Sequence, residues 1–250
     1  LTNYSAKRRR IWEGVERYFR CTQYEDLYLL ALENMLKAQE FVVAIIPETF
    51  VKSKFPKSRL YSINILEENP FDDTETPVCI ACFDNKVKSP YKIKIYKNSH
   101  FVKTLGKLEE KRPRPKNMRY IKFNPLPGQV GLRAVDTTNP QKKIAFMRKE
   151  QLDYDLVGIK NSSRLITVID VKIGHERLDN FIGICNDILN KYREETDDIL
   201  LSPFKGNMKN GVRRRRLDYE TARAIMEQGF ETIGGNGCAK EYRTLQLFIN

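Results

Sequence analysis

Arginine-rich clusters are the parts of this sequence best suited to binding a polyanion. A short cluster spans Lys7 to Arg10, and a longer one lies between Ser202 and Arg216. In the longer cluster, six cationic residues are candidates for DNA contact: Lys205, Lys209, Arg213, Arg214, Arg215 and Arg216. Guanidinium groups bind phosphate through paired hydrogen bonds and read guanine edges. The segment therefore predicts a nucleic-acid contact, although a solvated basic surface or flexible loop has the same composition.

A second set of polar residues has the spacing of a magnesium-dependent nuclease. Asp155 precedes an apolar run that ends in Asp170, and Lys172 follows two positions later. In such enzymes two carboxylates hold Mg²⁺ and the lysine assists the attacking water. The motif is short, and a strand with a polar, exposed end contains the same residues. A nuclease is therefore the alternative hypothesis.

Few residues are available for metal or thiol chemistry. Cys79 and Cys82 form a CxxC within an apolar run, without a second pair, and the only histidines are His100 and His175. We expect core cysteines here, and the favoured interpretation requires no metal. Five cysteines are an odd, low number, which argues against a disulfide framework and favours a reducing, cytoplasmic environment.

The overall charge points to the same class of partner as the arginine clusters. The 250 residues include 44 Lys and Arg against 32 Asp and Glu, a net charge of +12. This excess favours a polyanion, most simply nucleic acid. A membrane surface would attract the same charge, but no apolar run approaches the roughly 20 residues of a span. Leu1 to Arg10 also lacks the apolar core of a signal peptide.

The elements that must position these residues divide near residue 110. Apolar periodicity in the first half predicts an amphipathic helix from Tyr24 to Leu36. Four strands are predicted after it: Phe41 to Ile46, Tyr61 to Leu66, Thr76 to Phe83 and Tyr91 to Tyr96. The continuous apolar run from Phe41 is typical of a strand buried on both faces of a parallel sheet. The strictly alternating run from Tyr91 is typical of an edge strand or a half-exposed strand. Residues 1–108 are therefore predicted to form part of an α/β sheet with an antiparallel edge strand.

Residues 109–250 are predicted to form a separate α+β domain. It opens with a basic, proline-containing linker, Lys111 to Lys116, and includes a strand from Leu165 to Val171. Two helices are predicted, Arg177 to Tyr192 and Tyr219 to Gln228, with a polar basic segment between them. A flexible turn is expected at Gly234 to Gly237.

The first half resembles a stretch of the γ-class DNA adenine-N6 methyltransferases. That family has a (D/N)PP(Y/F) tetrapeptide after a strand, a helix of the type YNLYxxFLExAxxLL, an apolar strand ending in Pro, and a strand closing on an aromatic residue. The similar segments here are LTNY (Leu1 to Tyr4), YEDLYLLALENMLK (Tyr24 to Lys37), FVVAIIPETF (Phe41 to Phe50) and TPVCIACF (Thr76 to Phe83). The resemblance implies a Rossmann-like methyltransferase sheet followed by a DNA target-recognition domain.

The resemblance also implies a reaction, the transfer of a methyl group from S-adenosylmethionine to adenine N6 in duplex DNA, within restriction–modification. The adenine amino group is a poor nucleophile because its lone pair is delocalised into the ring. In the family's arrangement, the amide of Asn3 would accept a hydrogen of that amine. Tyr4 and Phe83 would stack on the two faces of a base flipped out of the duplex.

Two features of the family are missing from the quoted segments. The two prolines that rigidify the tetrapeptide are absent between Asn3 and Tyr4. The family's Gly-rich element for S-adenosylmethionine precedes the tetrapeptide, so the cofactor-binding residues are expected in an N-terminal half or a partner subunit. A non-catalytic DNA-specificity subunit is thus a further alternative.

Overall fold

A five-stranded sheet is the centre of the first of two units, Leu1–Glu110. The computed structural model describes Tyr24 and residues 26–116, 121–125, 127–152 and 165–235. The elements of this unit are helix α1 (Leu27–Ala38), strands β1 (Val42–Pro47), β2 (Leu60–Ile65), β3 (Val78–Phe83), β4 (Lys94–Lys97) and β5 (His100–Thr104), and the short helix α2 (Leu105–Glu109). The helix predicted from Tyr24 and the strands predicted near residues 61 and 76 are confirmed.

The sheet of the first unit is mixed. Its strand order is β1-β3-β2-β4-β5, with β3 antiparallel to both neighbours and β2 parallel to β4. Matching positions on four adjacent strands are buried and share one face: Ala44, Ala81, Ile63 and Ile95. This row lies on the core side of the sheet, and α1 packs against β1.

Strand β1 is not the parallel strand, buried on both faces, that its apolar run predicts. It pairs antiparallel with β3, and its residues alternate between the core and the surface. Ala44 and Ile46 are buried, whereas Val43 is 72% exposed. The prediction was wrong because the run is apolar at every position, so it contains no period that distinguishes the two faces.

The alternating run from Tyr91 is also placed differently from its prediction. Pro90–Lys92 form a single 3-10 turn, where the side chain of Ser89 accepts a hydrogen bond from the backbone N–H of Tyr91. Proline suits the first position of such a turn because it has no N–H to leave unsatisfied. Strand β4 then begins at Lys94 and lies between β2 and β5, so β5 and not β4 is at the edge of this sheet.

The second unit, Lys111–Asn250, combines a four-stranded antiparallel sheet with two long helices and a β-hairpin. Its elements are β6 (Ile121–Phe123), β7 (Val130–Arg133), β8 (Ala145–Arg148), β9 (Ile166–Val171), α3 (Leu178–Thr196), β10 (Ser202–Asn207), β11 (Arg213–Arg216) and α4 (Tyr219–Gly235). The sheet order is β6-β9-β7-β8. The predicted strand and both predicted helices are confirmed, and α4 includes Gly234 and Gly235, where a turn was expected. The protein is thus of mixed α and β structure.

Contacts within the second unit explain its packing. The rings of Phe181 on α3 and Phe230 on α4 lie 4.5 Å apart. The side-chain amide of Asn186 bonds to both backbone groups of Phe146, at 2.9 Å each, which holds α3 against β8. The predicted linker from Lys111 to Lys116 is not a free tether, because the Lys116 ammonium lies 2.5 Å from the Glu231 carboxylate on α4. In the described part of the chain, no helix has the length and apolarity needed to cross a membrane.

Candidate nucleic-acid interface

The arginine run from Arg213 to Arg216 is a β-strand and not the polar loop that its composition suggested. It forms β11 and pairs antiparallel with β10, so its side chains alternate between two sides of the hairpin. Arg213 and Arg215 are 3% and 1% exposed, whereas Arg214 and Arg216 are partly exposed. Two of the six predicted DNA-contact residues are therefore core residues, a correction that follows from the strand period.

A buried carboxylate anchors the arginine strand to the rest of the unit. Asp136 is fully buried and accepts hydrogen bonds from the backbone N–H groups of Arg215, at 3.1 Å, and Ile144, at 2.9 Å. The Arg193 guanidinium donates to both oxygens of Asp136, each at 2.9 Å. It also donates to both oxygens of Asp198, each at 2.8 Å. The Asp136 side chain, in the loop after β7, thus connects the end of α3 to strand β11.

The charge of Arg193 is stabilised by its two carboxylate partners. Burial on its own would lower the pKa of Arg193, but the hydrogen bonds to Asp136 and Asp198 outweigh it and raise the pKa above its ordinary value. The guanidinium therefore stays charged and the carboxylates stay paired, as a buried ion pair requires.

Arg214 is held on the exposed side of the hairpin by its neighbours. Its Nε donates to the backbone oxygen of Asp136 at 2.8 Å, and its Nη1 donates to that of Lys205 at 3.4 Å. Its guanidinium carbon lies 4.7 Å from the centre of the Phe204 ring, within the range of a cation–π contact. None of these partners carries a negative charge, so the positive charge of Arg214 is not neutralised by them.

The turn of the hairpin presents further cations. Gly211 adopts a φ of +83°, which an L side chain rarely takes, and its N–H donates to the oxygen of Met208 at 2.9 Å. Lys205 and Lys209 are exposed, and the sequence from Ser202 to Arg216 contains no Asp or Glu. The arrangement is a two-stranded ribbon that carries cations and no acidic residue of its own. We name residues 202–216 the basic hairpin.

The residues of the nuclease hypothesis are only partly described. Asp170 lies on β9 directly opposite Lys122 on β6, and Lys172 follows the strand and is exposed. A carboxylate opposite a lysine is an ordinary cross-strand arrangement. Asp155 lies outside the described residues, among which no group of three His, Cys, Asp or Glu could hold a metal ion.

The residues that the methyltransferase resemblance assigns are not brought together by the described structure. Asn3 and Tyr4 lie outside the described residues. Phe83 is 3% exposed, and its ring packs edge-on against Phe50 at 6.1 Å. A stacking role needs an accessible ring face, so the placement of Phe83 is that of a core residue.

The two cysteines of the CxxC pair are free, as expected for core residues. Cys79 and Cys82 are three positions apart on one strand, so they point to opposite faces of the sheet. Burial raises the pKa of the Cys79 thiol well above its ordinary value, which disfavours the reactive thiolate.

The cavity beside helix α1 is too small for a site of S-adenosylmethionine. A cavity of about 250 Å³ lies at the C-terminal end of α1, between Gln39, Glu40 and Asn85, which is below the usual range for ligand pockets of about 300–1,000 Å³. The cation that lines it, Arg59, already donates to the backbone oxygens of Leu36, Gln39 and Glu40. This arginine terminates the helix and is not available to a ligand.

Sequence reasoning missed the anchor of the interface. Asp136 and Arg193 are 57 positions apart, and neither belongs to a motif. An isolated Asp after an apolar strand is common, and only the folded chain shows that four donors converge on it.

Comparisons with known proteins leave the chain without an assigned relative. No protein-family description, no curated protein and no solved structure matches it. The functional assignment therefore rests on the basic hairpin and on the sequence resemblance alone.

Proposed function

We propose that this chain is part of the catalytic domain, together with the target-recognition domain, of a site-specific DNA adenine-N6 methyltransferase acting in restriction–modification. The basic hairpin is the observation that carries the proposal. Its Asp136 anchor keeps it in one position, and it presents cations that have no carboxylate partner on the hairpin itself. The order of α1, of β1 with its terminal Pro47 and of β3 ending at Phe83 supports the methyltransferase interpretation of the first unit.

Duplex DNA is the polyanion that suits a ribbon of this kind. The major groove admits a two-stranded β-ribbon, and each cation that neutralises a phosphate releases a condensed counterion. Arg214 and Arg216 lie on the outer side of β11. Lys205 lies on β10, and Lys209 lies at the turn. These four residues replace the six of the sequence prediction as DNA contacts.

The methyltransferase reaction assigns a separate task to the opening segment. Asn3 accepts a hydrogen bond from the exocyclic amine of the flipped adenine, and Tyr4 stacks on its ring. Stacking of a base on an aromatic side chain contributes about 1–3 kcal/mol, which offsets part of the cost of extruding the base. S-adenosylmethionine supplies the methyl group.

The test is methyl transfer to DNA by the protein purified from its native source. Radiolabelled S-adenosylmethionine and mixed genomic DNA are incubated with the protein in the presence of a chelator. We expect label in N6-methyladenine without added Mg²⁺, and loss of that label in the Asn3→Ala variant. Lys191→Ala, an exposed lysine on α3, is the control and should retain the activity.

Three other results would contradict the proposal in different ways. Salt-dependent DNA binding without methylation would leave a non-catalytic specificity subunit. Mg²⁺-dependent cleavage that Lys172→Ala abolishes would establish the nuclease. Methylation of cytosine N4 in place of adenine would keep the class of enzyme and correct the target base.

A further inference from the structure

The loop between β7 and β8 lies beside the basic hairpin. The backbone N–H of Lys209, at the hairpin turn, donates to the oxygen of Thr138 at 2.9 Å. Closer to the core, the N–H of Asp136 donates to the oxygen of Arg215 at 3.0 Å, and Val135 forms an antiparallel bridge with Arg216. Residues 137–143, which we name the flanking loop, therefore leave the sheet next to the turn of the hairpin.

The flanking loop has the same charge character as the hairpin. Its sequence, TTNPQKK, contains two lysines and no acidic residue, and both Lys142 and Lys143 are exposed. The loop is shaped by internal hydrogen bonds, including one from the N–H of Thr137 to the oxygen of Lys142 at 3.0 Å. These bonds hold the lysines in place on a structured loop.

Several cations elsewhere in the second unit have acidic partners. Arg148 bonds to Asp179, Lys111 to Glu195 and Lys116 to Glu231. Among the described residues, in contrast, no carboxylate lies within ion-pair distance of Lys143, Lys205 or Lys209. Three lysines of the flanking loop and the basic hairpin thus have no acidic partner among the described residues. This concentration of charge suits a row of phosphates better than a neutral partner.

The hairpin turn also carries an exposed apolar side chain. Val212 is 41% exposed and lies three positions from Lys209. In a major groove, a lysine donates to the acceptors of guanine, and an apolar side chain contacts the methyl group of thymine. Phosphate contacts, in contrast, carry no direct sequence information.

We propose that the two elements divide the recognition of duplex DNA between them. The turn of the basic hairpin enters a groove, where Lys209 and Val212 contact base edges and set the target sequence. The flanking loop lies along the neighbouring DNA backbone, where Lys142 and Lys143 bind phosphates. This inference rests on the proposed function only in taking duplex DNA as the partner.

The flanking loop is tested by the salt dependence of binding to a labelled mixed-sequence duplex. For the Lys142→Ala/Lys143→Ala variant of the full chain, the slope of log affinity against log salt should fall by about 0.9 for each phosphate that is no longer neutralised. The Lys191→Ala variant, which removes an exposed lysine of α3, should keep the slope of the parent chain. Circular dichroism shows whether each variant is folded.

The hairpin turn is tested by selection of bound duplexes from a randomised pool. The parent chain should enrich a defined sequence, and Lys209→Ala or Val212→Ser should lose about tenfold or more of the discrimination at one position. Substitution of the lysine pair of the flanking loop should weaken binding without changing the enriched sequence.

The outcomes separate this inference from the proposed function. If the flanking-loop variant keeps the full salt slope while Arg214→Ala/Arg216→Ala reduces it, the loop does not touch the DNA and only the inference is overturned. If turn variants enrich the same sequence as the parent, the assignment of base reading fails. If the parent chain binds no duplex at all, the proposed function fails together with the inference.

Discussion

Strands β1 and β11 are both uniform runs of one class of residue, and the fold treats the two runs differently. In β1, with the sequence VVAIIP, alternation leaves Val43 and Ile45 on the surface. In β11, with the sequence RRRR, alternation places Arg213 and Arg215 in the interior. In each strand some residues face the environment that their type disfavours. The backbone period of two therefore prevails over the composition of the run.

The exposure of a valine and the burial of an arginine differ in their free-energy cost. An exposed valine is ordinary, since apolar atoms contribute more than half of a typical protein surface. A buried charge costs several kcal/mol unless partners compensate for it. The buried charges of Asp136 and Arg193 are accordingly paired with each other, whereas the exposed Val43 needs no partner.

The largest expected effect comes from removing the centre of that network. Asp136→Ala leaves the N–H groups of Arg215 and Ile144 without this acceptor and deprives Arg193 of one carboxylate. We expect a loss of about 3–5 kcal/mol in the free energy of unfolding, measured by urea denaturation. Asp187→Ala, at an exposed position of α3, should cost less than about 0.5 kcal/mol. Equal effects of the two variants would show that the network does not stabilise the unit.

Neighbouring residues of β1 provide the next comparison. Ile46 is buried and Ile45 is partly exposed on the opposite face. Ile46→Ala should destabilise the protein by about 2–5 kcal/mol because it leaves a cavity, whereas Ile45→Ala should cost much less. Urea denaturation of the two variants measures the difference. Similar losses would mean that the outer face of β1 is covered in solution.

A lysine in place of Val43 should have a smaller effect on stability but a measurable effect on self-association. Within the described residues β1 pairs only with β3, so one edge of this apolar strand is open. Val43→Lys should change the free energy of unfolding by less than about 0.5 kcal/mol and reduce self-association in light scattering, because charge blunts an open edge. Val87→Lys, at an exposed position outside the strands, is the control and should leave scattering unchanged.

The smallest effect concerns an exposed ion pair, the surface counterpart of Asp136 and Arg193. The hydrogen bonds from Arg148 lower the pKa of Asp179 below its ordinary value. A lowered pKa stabilises the fold above the unfolded pKa of the carboxyl, and this contribution disappears as the pH falls through the folded pKa. In NMR titration, Arg148→Gln should raise the pKa of Asp179 towards its ordinary value. An unchanged pKa in that variant would contradict the assigned cause.

Periodic segments were predictable, and uniform ones were not. Helix α3 was predicted because Phe181, Cys185 and Leu189 recur at helical spacing and are all buried. The arginine run and the apolar run of β1 have no such pattern, so their orientation could not be assigned. Similarly, the prediction of six DNA contacts treated adjacent arginines as equivalent, although only alternate ones reach the surface.

The sequence by itself determined three features of this protein: a cationic, acid-free segment near residue 210, apolar runs of strand length and three helices. The tertiary structure alone decided which arginines are buried and which carboxylate bonds to the backbone of the arginine strand. The physical reason is that a strand fixes the alternation of its side chains. Which of the two alternating sets faces the core depends on the partner strand and on the core beneath it. Contacts between residues 57 positions apart leave no trace in local spacing.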